Sequence, residues 1–211
     1  MRGTQRPFLY VLAGVNGAGK SSVGGFLLQR AGLAWFNPDT FARELITATD
    51  CDQLEANAAA WHEGMRRLDD ALANARNYAF ETTLGGNTVP QKILAATATH
   101  DMLLWFCGLD SPEHHIDRVR SRVAAGGHDI PAAKIRERYP RALENLIGLM
   151  PHLARLQVYD NSVDVAQGAA IPDPLLVLAM ADGKVQWPVD AGGLRRTPDW
   201  AKPVVEAALS K

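Results

Sequence analysis

Gly14, Gly17 and Gly19, followed at once by Lys20 and Ser21, are the residues whose types and spacing can most plainly do chemistry. The pattern Gly14-x-x-x-x-Gly19-Lys20-Ser21 follows an apolar run and precedes a helical stretch, so a strand feeds a glycine loop that opens a helix. Glycines let the backbone curl until successive N–H groups point inward, and the helix adds its positive end. Gly14, Val15, Asn16, Gly17, Ala18, Gly19, Lys20, Ser21 and Ser22 therefore form a phosphate cradle, the P-loop. Lys20 supplies charge for β- and γ-phosphates, and Ser21 a hydroxyl for Mg²⁺. The alternative is a glycine-rich strand–turn–helix corner with no ligand. With Lys20 and Ser21 both in register, the spacing predicts a nucleoside-triphosphate site, with Mg²⁺ at Ser21.

In open α/β sheets, ligands gather beyond the carboxyl ends of the strands. Asn37 and Asp39 follow one apolar run, and Asp39 has two readings there. It is either a base that deprotonates an attacking hydroxyl opposite the P-loop, or the cap of a helix over residues 40–48. Glu81, Thr82 and Thr83 follow another run; they suit an acceptor rich in hydroxyls, or they make a strand-end turn. Asp110 stands where a Walker-B carboxylate would, yet it can equally help Ser111 cap the next helix. Asn161 ends the last parallel run.

Arg118, Arg120, Arg122, Lys134, Arg136, Arg138 and Arg141 gather between residues 118 and 141. Arg118 and Arg122 share a helix face. Two helices hinged at Gly126-Gly127 could swing arginines onto transferring phosphates, with His128 as a further donor. A solvated helix face, with Asp117 and Glu137 as partners, is the plainer reading. A nucleic-acid patch fits poorly, since no aromatic residues interleave and the net charge is −1. His114 and His115 are adjacent, hence on different faces, and do not form a metal pair.

Short apolar runs alternate with helical patterns, the signature of a parallel sheet wrapped by helices. Strands are expected at 8–13, 33–36, 78–80, 102–109 and 156–159. A hairpin over 175–187 is marked by Asp182-Gly183. A helix over 53–75 carries Leu54, Ala58, Trp61, Met65, Leu68 and Leu72 on one stripe. The first helix carries Val23, Phe26 and Leu27 and ends near Gly32. Other helices are expected at 90–99, 111–125, from 131 through a bend at Pro140, and at 200–209. With 211 residues, 47% hydrophobic and 21% charged, the chain reads as one domain over 1–211. A lid occupies about 111–150, and the hairpin and last helix 174–211. Cys51 and Cys107 are far apart and read as reduced thiols. No signal peptide or membrane span is evident, which points to a cytoplasmic setting.

Taken in order, GVNGAGKSS (14–22), Asn37-Pro38-Asp39, FETTL (80–84), RVRSRVAAGGHDIP (118–131), IRERYPRALENL (135–146) and VYDNS (158–162) resemble the zeta-toxin family of P-loop kinases, in its compact form. The resemblance implies a kinase-like P-loop NTPase fold of three layers, with a five-stranded parallel sheet, a helical lid and a C-terminal β-hairpin. It implies transfer of the ATP γ-phosphate to a hydroxyl of UDP-N-acetylglucosamine, and a small antitoxin protein that blocks the nucleotide site. Lys20 and Ser21 then handle phosphate and Mg²⁺, Asp39 is the base, and Glu81 and Thr83 hold the acceptor sugar, beside Thr82 and Asn37. Arg118 matches an arginine on the ATP phosphates.

The chain departs from the larger toxins in two places. His128 stands near where they carry a second phosphate-binding arginine, a role open here to Arg122, Arg136 or Arg138. The chain is also too short for the additional helices around their sugar-nucleotide site. Two other functions therefore stand beside the first: a kinase for a nucleoside, another sugar or a cofactor, and an ATP-binding regulator without transfer. A transporter-type ATPase is disfavoured, since no Leu-Ser-Gly-Gly-Gln signature is present.

Overall fold

The computed structural model describes residues 6–30, 32–165 and 172–210. Six strands, β1 (Phe8–Ala13), β2 (Tyr78–Thr82), β3 (Asp101–Gly108), β4 (Arg155–Asp160), β5 (Leu175–Ala181) and β6 (Lys184–Trp187), form one sheet in the order β2-β1-β3-β4-β5-β6. β2, β1, β3 and β4 run parallel, whereas β5 and β6 continue the sheet antiparallel. β3 lies near the middle, and its residues Leu104–Cys107 are almost wholly buried. Their unbroken apolar character reflects a strand covered on both faces.

One face packs Leu9, Val11, Leu104 and Phe106 against α4 (Thr88–Ala96), α5 (Pro112–Ala124), α6 (Ala132–Leu149) and α8 (Lys202–Leu209). The other packs Leu12, Trp105 and Cys107 against Leu28 of α1 (Gly25–Arg30) and against Leu33 and Trp35. Helices thus cover both faces of a sheet, the three-layer P-loop architecture expected from the alternating pattern. The stretch expected to act as a lid forms α5, α6 and their connection. Its helices are seated in the core through Ile116, Val119, Ile135 and Leu146, so it is the 125–128 loop that overhangs the sheet edge.

Three expectations need correction. The run 33–36 is not a full strand: Phe36 alone bridges to Phe80, through Phe36 N to Ala79 O (2.9 Å) and Glu81 N to Phe36 O (2.9 Å). The parallel part therefore has four strands plus a bridge, and the hairpin joins the same sheet. In α3 (Gln53–Ala73) the buried face is Ala56, Ala60, Gly64, Leu68 and Ala71, while Leu54 and Trp61 are 78% and 48% exposed. Small residues win there because α3 packs closely on α2 (Pro38–Thr49) and on Phe36, whose ring would lie 2.9 Å from a Cβ at Gly64. A short helix, α7 (Ala191–Arg195), follows the hairpin and carries too little periodicity to be read in advance. α6 continues through Pro140, and Phe26 and Leu27 lie outside the described side chains.

Asp182 and Gly183 both have positive φ (48° and 73°), the geometry that made Asp-Gly a hairpin signal. No helix among the described residues is long and apolar enough to cross a membrane.

Gly108 ends β3 under the ring of Trp200, where an added Cβ would fall 2.4 Å from a ring carbon. The indole cannot easily retreat, because its Nε1 donates to Asp160 Oδ1 at 2.9 Å. Gly108→Ala is therefore expected to lower stability by about 1–3 kcal/mol in urea denaturation. An unchanged midpoint would show that Trp200 is not fixed against the strand end.

Candidate active site

The loop after β1 is held from outside by its own carbonyls. Asn161 Nδ2 and the Cys107 thiol both donate to Ala18 O, at 2.9 and 3.0 Å. His115 Nδ1 donates to Asn16 O at 2.9 Å, and Arg138 Nη1 to Asn16 Oδ1 at 2.8 Å. With carbonyls turned outward, the loop presents its N–H edge to the cavity it surrounds. Gly14 adopts φ 138°, and a Cβ there would lie 2.1 Å from Cys107 O, so only glycine fits. Gly19, at φ 90°, packs equally tightly beneath Asn161. Burial keeps the Cys107 thiol protonated, its pKa pushed up to about 12.

A π-helical turn, Lys20–Gly24, continues the loop into α1. Lys20 is buried, its Nζ 3.3 Å from Val15 O and 3.7 Å from Glu81 Oε1. Ser21 Oγ lies 3.0 Å from both oxygens of Glu81, and Asn37 Nδ2 donates to Ser21 Oγ (3.1 Å) and Glu81 Oε2 (2.9 Å). The register of β2 beside β1, Leu12 opposite Glu81, delivers this carboxylate to the loop. Glu81 therefore sits against the cradle.

The capping role open to Asp39 belongs to Asn37 instead. Its Oδ1 accepts from Asp39 N (2.9 Å) and Thr40 N (3.1 Å), so Asn37 caps α2, with Pro38 at the first helical position. The Asp39 carboxylate is left free of capping. It lines the cleft between Arg122 Nη1 (3.5 Å to Oδ2) and His128 Nε2 (3.7 Å to Oδ1).

The cleft has a volume of about 1110 Å³ and runs along the carboxyl edge of the sheet. At the β4 end stand Asn161, Val163, Asp164 and Val165; at the β2 end stand Asp39, Thr40, Arg43, Thr47 and Gln53. Gly17, Gly19, Lys20, Ser21 and Ser22 form its floor, and Gly126, Gly127 and His128 overhang it. Arg118 lines it with its guanidinium held by Asp164, Nη2 to Oδ1 at 2.9 Å, and by Val163 O at 3.1 Å. Arg122 Nη2 donates to His128 O at 3.1 Å, while its buried Nε has no partner among the described residues. Burial opposes charge on His114, but Asp164 and Asp110 prevail and hold its pKa above the usual histidine value.

The structure thus brings Lys20, Ser21, Ser22, Asn37, Asp39, Glu81, Arg118, Arg122 and His128 to one cavity. Gly14, Val15 and Ala18 contribute from behind it. It does not bring Thr82 or Thr83: their hydroxyls accept from Leu84 N and Gly85 N, and they make the strand-end turn. Arg136 pairs with Glu113 at 3.1 Å on the surface, and Arg138 grips Asn16 from behind the loop, so neither is a cleft arginine. Asp110 accepts from Ser111 Oγ (3.2 Å), faces His114 and is absent from the cleft lining; it supports the start of α5. Sequence reasoning overlooked Asp164 and Arg43, and weighed His115 only as a metal ligand. No motif marks them, and α2, α5 and the segment after β4 had first to be placed side by side.

No protein-family model matches the chain, and no curated protein matches its sequence. Solved structures do match in fold. The ATP complex of AvrRxo1-ORF1:-ORF2 matches at TM-score 0.65 and 13% identity, over 97% of this chain and 64% of that one. The PezAT toxin–antitoxin system of Streptococcus pneumoniae matches at TM-score 0.56 and 16% identity, over 74% of this chain and 68% of that one. A Chloroflexus aurantiacus protein provisionally assigned as a kinase matches at TM-score 0.53 and 18% identity, over 64% and 77%. The chain has a zeta-toxin-like P-loop kinase fold.

His115 is 1% exposed, and burial, joined by the charges of Lys20 and Arg118, lowers its pKa to about 4 against the Asn16 bond. A lowered histidine pKa means that the unfolded chain binds the proton first as pH falls. Stability supplied by neutral His115 is full above pH 6.5 and lost on descent to about 4. The loss is about 3 kcal/mol. His115→Gln should flatten the pH dependence of unfolding over that window. A variant with the wild-type slope would contradict this placement.

Proposed function

We propose that the protein is an ATP-dependent kinase that transfers the γ-phosphate to a hydroxyl of a small-molecule acceptor, a sugar nucleotide such as UDP-N-acetylglucosamine. The observation that carries this reading is Asp39: its carboxylate, spared capping by Asn37, borders the same cleft as the P-loop. Phosphoryl transfer asks for little covalent chemistry, only positioning and charge neutralisation.

The P-loop amides and Lys20 hold the β- and γ-phosphates of ATP. The nucleoside end lies toward Val163 and Val165, exposed apolar side chains beside Asn161. The acceptor enters from the α2 side, where Asp39 orients its hydroxyl and takes the proton. Arg122 and His128, both beside Asp39, face the charge that develops between donor and acceptor. Arg118 reaches the phosphates by exchanging Asp164 for phosphate oxygens. Ser21 and Glu81 fit a hard cation, because a hydroxyl and a carboxylate side by side next to a polyphosphate cradle are the oxygen donors such an ion takes. Mg²⁺ held there neutralises phosphate charge.

A small protein partner belongs to the same reading. PezAT is a toxin–antitoxin system, and AvrRxo1-ORF1 is paired with ORF2. A partner of this kind would cover the cleft in a cytoplasmic setting.

Lys20→Ala should abolish ATP binding, whereas Asp39→Asn should retain it and lose at least about 100-fold in transfer. Calorimetry measures the first, and label passing from γ-labelled ATP to UDP-N-acetylglucosamine or a cell extract measures the second. Transfer by Asp39→Asn at a near wild-type rate would refute the base assignment.

A further inference from the structure

The cleft is larger than the roughly 300–1,000 Å³ that one small ligand usually occupies, so it has room beyond the donor nucleotide. That extra space is bounded by α2. Asp39, Arg43, Ile46 and Thr47 all line it, spaced four, three and one residues apart on one helix face, and Gln53 closes its far end. Arg43 lies one helical turn past Asp39, about 6 Å along the axis.

Charge pairing sets Arg43 apart from the other cleft cations. Lys20 is paired with Glu81, Arg118 with Asp164, and Arg122 with Asp39, each within 4.0 Å. Among the described residues, no carboxylate lies within 4.0 Å of Arg43, whose side chain is exposed along the wall. Asp39 and Glu81 are matched by Arg122 and Lys20, so among the described residues Arg43 is the cleft cation left to meet a charge brought in from outside. A guanidinium offers several N–H donors in a planar fork that matches phosphate oxygens.

We infer that Arg43 is the acceptor-recognition residue of this cleft, binding a phosphate group already carried by the acceptor one helical turn from the hydroxyl presented to Asp39. Thr47 and Gln53 extend this subsite, and Ile46 gives it an apolar floor. The inference rests on the kinase reading and adds a residue to it: Arg43 meets the phosphate that a sugar-nucleotide acceptor carries, and a neutral sugar or nucleoside is a poor substitute.

The test compares wild type, Arg43→Gln and Arg43→Lys. Each enzyme is incubated with ATP and a cell extract, and mass spectrometry identifies the metabolite that gains one phosphate. UDP-N-acetylglucosamine, N-acetylglucosamine 1-phosphate and free N-acetylglucosamine are then assayed as defined probes. The expected acceptor already carries phosphate. Arg43→Gln should raise the KM for it roughly tenfold or more, leave the KM for ATP in place, and erase any preference over the dephosphorylated form. Arg43→Lys should recover part of that loss. A neutral acceptor, or an Arg43→Gln enzyme with unchanged acceptor KM, overturns the Arg43 assignment while leaving the kinase intact. ATP binding with no transfer to any metabolite overturns both.

Discussion

Outward traction on the carbonyls of one loop is the interaction on which the site depends. Asn161 and Cys107 pull on Ala18, and His115 and Arg138 pull on Asn16. The four donors come from β3, α5, α6 and the residue after β4, and they converge on two loop residues, three on backbone carbonyls and Arg138 on the Asn16 side chain. What remains is an N–H edge directed at the cavity. Gly14 and Gly19 are required because the gripping elements approach too closely for any Cβ.

The second constraint is a division of labour between two neighbouring residues. A helix start needs a capping oxygen, and the proposed transfer calls for a carboxylate left free of capping. Asn37 provides the cap, and its amide also bridges Ser21 and Glu81. Asp39 is thereby available to the cleft, balanced by Arg122 and His128. An amide at 37 and an acid at 39 are not interchangeable: an acid at 37 would add a second negative charge against Glu81.

The P-loop, the Asp-Gly hairpin and the buried strand β3 were legible in the sequence because each carries its cause locally. Glycine spacing, a turn that demands positive φ and an uninterrupted apolar run need no tertiary information. The face of α3 was misread because its packing is set by Phe36 and α2, which favour alanine and glycine over the larger Leu54 and Trp61. Glu81 was visible as a strand-end acid, but its partners depended on which strand lay beside β1. Arg136 and Arg138 are two residues apart on α6, and only the assembled fold separates the one facing Glu113 from the one behind Asn16. Thr82 and Thr83 follow Glu81 directly, and strand alternation and the turn carry them away from the cleft.

The central claim is that the cradle and Asp39 face each other across a bound triphosphate. A crystal structure of the protein with Mg²⁺ and a non-hydrolysable ATP analogue measures this directly. The expected result has the β- and γ-phosphates on the amides of residues 16–21, with the Asp39 carboxylate beyond the γ-phosphate and room between them for a hydroxyl. Phosphates seated elsewhere, or Asp39 turned away from the γ-phosphate with α2 withdrawn, would contradict it.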